Sequence, residues 1–129
     1  MQRKQPNVLV VEDEQSLLIA WEEKFKRQGL NVLTATNGRS ALKIAFENHP
    51  DLVVIDLVLG SSEGLKVLKT LRENKWGNRV PVVFLNSWQD PETFNAETRY
   101  PLDDYFAYNW NLEQVVERVA QKLEAVKQM

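Results

Sequence analysis

DLVVIDLVLG, residues 51–60, is a nearly unbroken apolar run bounded by Pro50 and Gly60. A run this rich in Val, Ile and Leu is typical of a strand buried on both faces of a parallel sheet. Asp56 lies where that strand is expected to end. Open α/β sheets bind ligands beyond the carboxyl ends of their strands, so Asp56 is the first candidate functional residue. A turn or helix-capping aspartate is the purely structural alternative.

Four further apolar runs predict strands at residues 8–11, 32–35, 80–85 and 105–107. Helical patterns separate them, the second over 40–48, a poor fourth one over about 91–100, and the last from a cap at Asn111 to Val126. Strands that alternate with helices form parallel sheets covered on both faces. We therefore expect one α/β domain over residues 1–129, a flavodoxin-like (βα)5 fold whose five-stranded sheet has the order 2-1-3-4-5.

The composition of the 129-residue chain excludes several function classes. It has no cysteine, which excludes disulfides, thiol catalysis and thiolate metal sites. The net charge of -2 gives no electrostatic reason to expect nucleic acid or a membrane surface as a partner. The basic amino terminus is not followed by an apolar signal core, so the expected location is the cytoplasm.

Acidic residues follow the first strand as well as the third. The predicted strand order places the ends of these two strands side by side, so Glu12, Asp13 and Asp56 are expected to meet in one pocket. Carboxylates about 5 Å apart repel by roughly 3 kcal/mol per pair at an effective dielectric near 20. Protons or a cation must neutralise them, and such hard oxygen ligands suit Mg²⁺. Alternatively, Glu12 and Asp13 only open the first helix, where acids favour the helix dipole.

The chain resembles the receiver domain of bacterial two-component response regulators over essentially its whole length. The matching segments are residues 8–14, VLVVEDE; 37–42, NGRSAL; 50–56, PDLVVID; 81–85, PVVFL; and 103–105, DDY. The resemblance implies that Glu12, Asp13, Asp56 and the backbone carbonyl of Val58 hold Mg²⁺. It also implies that Asp56 accepts a phosphoryl group from a histidine kinase or phosphotransfer protein.

Two switch positions depart from the family pattern. Asn86, followed by Ser87, stands where the family has Thr or Ser, and Tyr108-Asn109 replaces its Lys-Pro pair. A charge-assisted hydrogen bond contributes about 1.5–3 kcal/mol and a neutral one about 0.5–1.5. A full two-state switch needs about 5.5 kcal/mol, so a weakened switch is expected. Without proline, the peptide bond between residues 108 and 109 is expected to be trans.

The resemblance also assigns a signalling surface to the fourth helix, fifth strand and fifth helix. Tyr105 matches the family's switching aromatic there. The other aromatic residues of this region are Trp88, Phe94, Tyr100, Phe106, Tyr108 and Trp110. Aromatic residues are favoured at interface centres, so a downstream protein is expected to dock here. Burial in the core is the alternative for each of them. The oligomeric state stays open between a monomer and a homodimer through this face.

The function expected from these residues is that of a non-enzymatic receiver module with a weakened switch. The alternative is a phosphorylation-independent receiver that acts as a protein-interaction adaptor. An aspartyl phosphohydrolase is disfavoured because Val58 stands where its acid/base aspartate would be. A flavin carrier is disfavoured because residues 12–14 would repel phosphate. His49, the only histidine, precedes Pro50 and is expected to face solvent without a phosphotransfer role.

Overall fold

The apolar runs pair as five parallel strands, and helices connect them. The computed structural model describes residues 5–56, 61–86, 104–107 and 111–127. The strands are β1 (Asn7–Glu12), β2 (Asn31–Ala35), β3 (Leu52–Asp56), β4 (Val82–Asn86) and β5 (Asp104–Ala107). The helices are α1 (Gln15–Arg27), α2 (Gly38–Asn48), α3 (Ser61–Arg72) and a C-terminal helix (Leu112–Lys127). The predicted fourth helix lies outside the described residues.

The sheet has the order β2-β1-β3-β4-β5, and every pair of neighbours is parallel. This is the predicted flavodoxin-like arrangement, and it places β3 at the centre. All five residues of β3 are buried, as the apolar run predicts for a strand covered on both faces. Among the helices of the described residues, none is both long and apolar enough to cross a membrane.

Alternate residues of each strand face two separate core layers, because side chains of a strand point to opposite faces in turn. One layer contains Leu9, Val11, Val53 and Ile55 and packs against α2 and α3. The other contains Val8, Val10, Leu52 and Val54 and packs against α1 and the C-terminal helix. The two layers hold the strand ends in a fixed relation to the helices on both sides.

Two element boundaries differ by two residues from the sequence prediction, and the other predicted boundaries among the described residues differ by one residue at most. Helix α2 begins at Gly38, two residues before the predicted start, because the Asn37 side chain caps it by accepting a hydrogen bond from the Ser40 N–H at 2.9 Å. Strand β4 begins at Val82 and not at residue 80. Pro81 has no N–H to donate to a ladder, although its carbonyl still accepts a hydrogen bond from the Val53 N–H.

Candidate functional site

Two acidic side chains meet at the carboxyl edge of the sheet. Glu12 is the last residue of β1 and Asp56 is the last residue of β3, and the two are direct partners in the parallel register. On its other side, Asp56 is paired with Leu85 of β4. The strand register therefore fixes the two carboxyl groups side by side, as the predicted strand order requires.

Both acids are withdrawn from water. Glu12 is 0% exposed and Asp56 is 1% exposed, and they are the two buried charged residues of the described part of the chain. Buried ionisable groups are rare unless they are paired, hydrogen-bonded or bound to a metal. The two residues end β1 and β3, where core packing does not require a carboxyl group, so their burial indicates a functional role.

The Glu12 carboxylate accepts hydrogen bonds at both of its oxygens. The buried indole Nε1–H of Trp21, in α1, donates to Glu12 Oε1 at 3.0 Å. The backbone N–H of Glu14 donates to Glu12 Oε2 at 3.2 Å. Two N–H donors stabilise negative charge on this carboxylate and fix its orientation.

Asp56 has the opposite environment. Its pKa is raised from the ordinary 3.8 to about 9, first by burial, then by its hydrogen bond with Glu12 and by the negative charges of Glu12, Asp13 and Glu14. Two neighbouring buried carboxyl groups cannot both ionise without a compensating charge. The raised pKa of Asp56 therefore favours a pair that shares one proton at neutral pH when no cation is bound.

One oxygen of Asp56 lacks any partner. Asp56 Oδ2 is buried and makes no hydrogen bond. An unsatisfied buried polar atom costs about 1–3 kcal/mol, so such an atom usually has a functional reason or an ion as its partner. The chemistry of this pair, with hard oxygen donors and surplus negative charge, fits a divalent cation such as Mg²⁺.

Asp13 contributes to this site from its rim. It follows β1 directly and is exposed to solvent, but its charge acts on Asp56. Within the described ranges, no group of three or more His, Asp or Glu side chains is arranged closely enough to hold a metal ion. The described geometry is thus a buried Glu12–Asp56 pair with an exposed third acid, and the predicted three-carboxylate metal site stays a prediction.

Comparison with known proteins connects this edge of the sheet to a family. The family model described as the response regulator receiver domain matches residues 8–120. The chain belongs to this family. Transcriptional regulatory protein PrrA of Mycobacterium tuberculosis is 34% identical over 114 residues, which are 88% of this chain and 48% of PrrA. The chain therefore spans about half the length of this curated relative.

Solved structures agree with this assignment. The receiver domain of a Francisella response regulator is 27% identical, with a TM-score of 0.78, over 89% of this chain and 93% of that one. The receiver domain of a Pseudomonas aeruginosa sensor histidine kinase is 21% identical and shares the fold, with a TM-score of 0.76 over 92% of this chain and 97% of its own. That structure is described with a magnesium ion coordinated in its active-site cleft.

Family membership gives the site a context. Receiver domains are generally signalling modules and not enzymes, and they typically bind Mg²⁺ in the active site. They work with histidine kinases or phosphotransfer proteins and with effector domains.

The predicted switch positions are only partly covered by the structure. Asn86 ends β4, and Tyr105 lies in β5 opposite Phe84. Val58, Ser87 and Tyr108 lie outside the described residues, as does the peptide bond between residues 108 and 109. Of the aromatic group, Phe106 lies in β5, whereas Trp88, Phe94, Tyr100 and Trp110 lie outside the described residues. The roles of these positions stay predictions.

Three contacts near the site or its helices were missed by the sequence reasoning. Trp21 has helical spacing with Leu18 and Phe25, a pattern that indicates only a core position, although a buried indole N–H also needs a hydrogen-bond acceptor. Glu63, in the first turn of α3, accepts a hydrogen bond from the Gly38 N–H at 2.6 Å. His49 is exposed, as predicted, but its ring stacks on Trp76 with centroids 4.6 Å apart.

Proposed function

We propose that this receiver accepts a phosphoryl group on Asp56 from a histidine kinase or phosphotransfer protein. The observation that carries the proposal is Asp56 Oδ2, a buried carboxyl oxygen without a partner at the carboxyl end of the central strand. No catalytic acid/base is assigned, and the module signals by binding and not by turnover. We also propose that the whole protein passes the signal on from this receiver, through a partner protein or through an effector region of its own.

Mg²⁺ would be held by Glu12, Asp13, Asp56 and the Val58 carbonyl. When bound, it supplies the positive charge that allows both carboxyl groups of the buried pair to ionise. The raised pKa of Asp56 makes that charge necessary, because a protonated carboxyl group is a poor nucleophile. The hydrogen bonds from the Trp21 and Glu14 N–H groups keep Glu12 in place while Asp56 reacts.

The phosphoryl group would form a bond from phosphorus to an Asp56 carboxylate oxygen. The bond from phosphorus to the donor would break, and the leaving group is a histidine nitrogen for a kinase or phosphotransfer protein and a carboxylate oxygen for an acyl phosphate. Neither Asn86 nor Tyr108 has the positive charge that the Lys of the family pattern offers this group, so any contact that they made with it would be neutral. We therefore expect phosphorylation with a reduced conformational response, and a downstream protein would bind the face that contains β5 and the C-terminal helix.

Intact-mass spectrometry tests the proposal. The protein is incubated with a small acyl phosphate in the presence of Mg²⁺, or of EDTA as the metal-free control. We expect one added phosphoryl group in the wild type with Mg²⁺, and none in Asp56→Asn. Asp51→Asn is the matched control, because Asp51 is an exposed aspartate beside the opposite end of β3 and should leave the adduct unchanged.

The substitutions at residues 86 and 108 favour a second candidate function, a phosphorylation-independent adaptor. A folded wild type that binds Mg²⁺ but gains no phosphoryl group would support that candidate and would contradict the acceptor role of Asp56. The search for a partner would then move to the aromatic face around β5.

A further inference from the structure

Trp21 lies at the junction between the hydrophobic core and the acidic site. It is 0% exposed, and its indole ring stacks on Phe25 one helical turn later, with centroids 5.7 Å apart and planes at 13°. Both rings belong to the core layer that packs α1 and the C-terminal helix on the sheet. The ring therefore has little freedom to move, because interiors are close-packed.

The rigid ring aims its one polar atom at the acid pair. The Nε1–H of Trp21 donates to Glu12 Oε1 at 3.0 Å, and this contact is buried. A second N–H donor, the backbone N–H of Glu14, is more distant, at 3.2 Å, and bonds to the other oxygen. A glutamate side chain has three rotatable bonds, so without the indole its carboxylate would be less ordered beside Asp56.

The hydrogen bond from Trp21 leaves acceptor sites free on the Glu12 carboxylate. Each carboxylate oxygen has two acceptor sites, so Glu12 can accept the indole and backbone N–H groups and still face Asp56 and a cation. Groups that orient a metal ligand in this way commonly change metal affinity by 10–100-fold when they are removed.

We propose that Trp21 is a positioning residue of the acid pocket, where its indole N–H fixes the Glu12 carboxylate beside Asp56 and thereby sets the affinity for divalent cations. This inference rests on the proposed Mg²⁺ site. The Mg²⁺ affinity would then depend on the position of α1, because a displacement of this helix would move the indole N–H away from Glu12.

The test compares Mg²⁺ dissociation constants from NMR titrations of wild type and Trp21→Phe. Phenylalanine keeps an aromatic ring against Phe25 but lacks the N–H, and we expect Mg²⁺ to bind about tenfold more weakly. Trp76→Phe is the matched control, because Trp76 stacks on His49 near the opposite edge of the sheet and should leave the affinity unchanged. Phe25→Leu removes the ring on which Trp21 stacks but keeps the indole donor, and should weaken Mg²⁺ binding less than Trp21→Phe does.

The outcomes separate this inference from the proposed function. Wild-type affinity in a folded Trp21→Phe variant would overturn the role of Trp21 and leave the metal site intact. A wild type that binds no Mg²⁺ would overturn both. If Trp21→Phe does not fold, the test uses the indole N–H resonance of Trp21 in the wild type. This resonance is assigned through the contact of Trp21 with Phe25, and its chemical shift is followed during the Mg²⁺ titration. A shift that saturates together with Mg²⁺ binding supports the proposal, and an unmoved resonance overturns it.

Discussion

At the scale of single residues, the burial of Glu12 beside Asp56 determines the electrostatic environment of both carboxyl groups. Glu12 receives two N–H donors, whereas Asp56 Oδ2 receives none, so the two carboxyl groups have opposite electrostatic environments. Environments that separate the behaviour of two acids in this way are typical of functional sites. Under the proposed function, the buried pair would share one proton in the metal-free protein, and a divalent cation would take the place of that proton.

Replacement of Asp56 by asparagine should remove the loss of folding stability that the metal-free wild type shows as pH rises. The pKa of Asp56 is 3.8 in its ordinary state and about 9 in the folded protein, so the folded state binds more protons between these values. The free energy of unfolding of the metal-free protein should therefore fall as pH rises from about 4 to about 9. At pH 8 we expect Asp56→Asn to be more stable than wild type by at least about 1.4 kcal/mol, one pKa unit.

Urea unfolding across this pH range measures the effect. Glu47→Gln removes an exposed carboxyl group of α2 and should retain the wild-type slope. An unchanged slope in Asp56→Asn would show that Asp56 is ionised in the folded, metal-free protein.

The pairing of these residues could be predicted from sequence, but the bond to Trp21 could not. Glu12 and Asp56 each end an apolar run, and strand order then brings them together. The Trp21–Glu12 bond depends on how far α1 is rotated over β1, which packing with Phe25 and the C-terminal helix decides. The exposure of Asp13 could not be predicted either, because it depends on the conformation of the loop between β1 and α1.

At the scale of the elements, α3 is fitted closely to both the sheet and α2. Gly64 is buried, and a Cβ atom at this position would lie 2.9 Å from Phe84 Cζ and 3.2 Å from Ile55 Cγ2. One residue earlier, the Glu63 carboxylate binds the Gly38 N–H at the start of α2, a helix with no acid in its own first turn. An acid at a helix N-terminus is favourable, so α3 supplies the charge that α2 lacks.

Gly64→Ala should destabilise the domain because the added methyl group requires α3 to move away from β3 and β4. Overpacking of this kind typically costs about 1–3 kcal/mol. Thr70→Ala, at an exposed position of the same helix, should change the free energy of unfolding little. Equal stability of Gly64→Ala and wild type in urea unfolding would contradict the close seating of α3.

Asn37→Ala should lower the free energy of unfolding by about 1 kcal/mol, because it removes the side-chain oxygen that accepts the Ser40 N–H. Asn37→Asp keeps an acceptor of the same geometry and should retain most of that stability. A similar loss in both variants would show that the cap is not the cause. This cap also explains why the helical pattern, predicted over residues 40–48, placed the start of α2 two residues too late.

The whole molecule has the sheet order of a receiver, and its sequence departs from the family pattern at two switch positions, residues 86 and 108. Sheet order and layer composition could be predicted because buried parallel strands have continuous apolar runs. The response to phosphorylation could not, because it depends on side chains beyond β4 and β5. Asn86→Thr and Tyr108→Lys together would add one neutral and one charge-assisted hydrogen bond, about 2–4.5 kcal/mol of the 5.5 required.

We therefore expect the phosphorylated wild type to show NMR shift changes confined to the surroundings of Asp56. In the phosphorylated double variant, the changes should extend through β5 into the C-terminal helix. Each single variant is the control and should show an intermediate response. A wild type whose shift changes already reach the C-terminal helix would contradict a weakened switch.

The most direct test of the buried carboxyl pair is the number of protons released when Mg²⁺ binds. Calorimetric titrations at pH 7 in buffers of different ionisation enthalpy give this number, with Asp56→Asn as the control. About one proton released per Mg²⁺ by wild type, and none by the variant, is expected if the cation displaces the proton of Asp56. A binding heat that is the same in every buffer would contradict it, because Asp56 would then be ionised before the cation arrives.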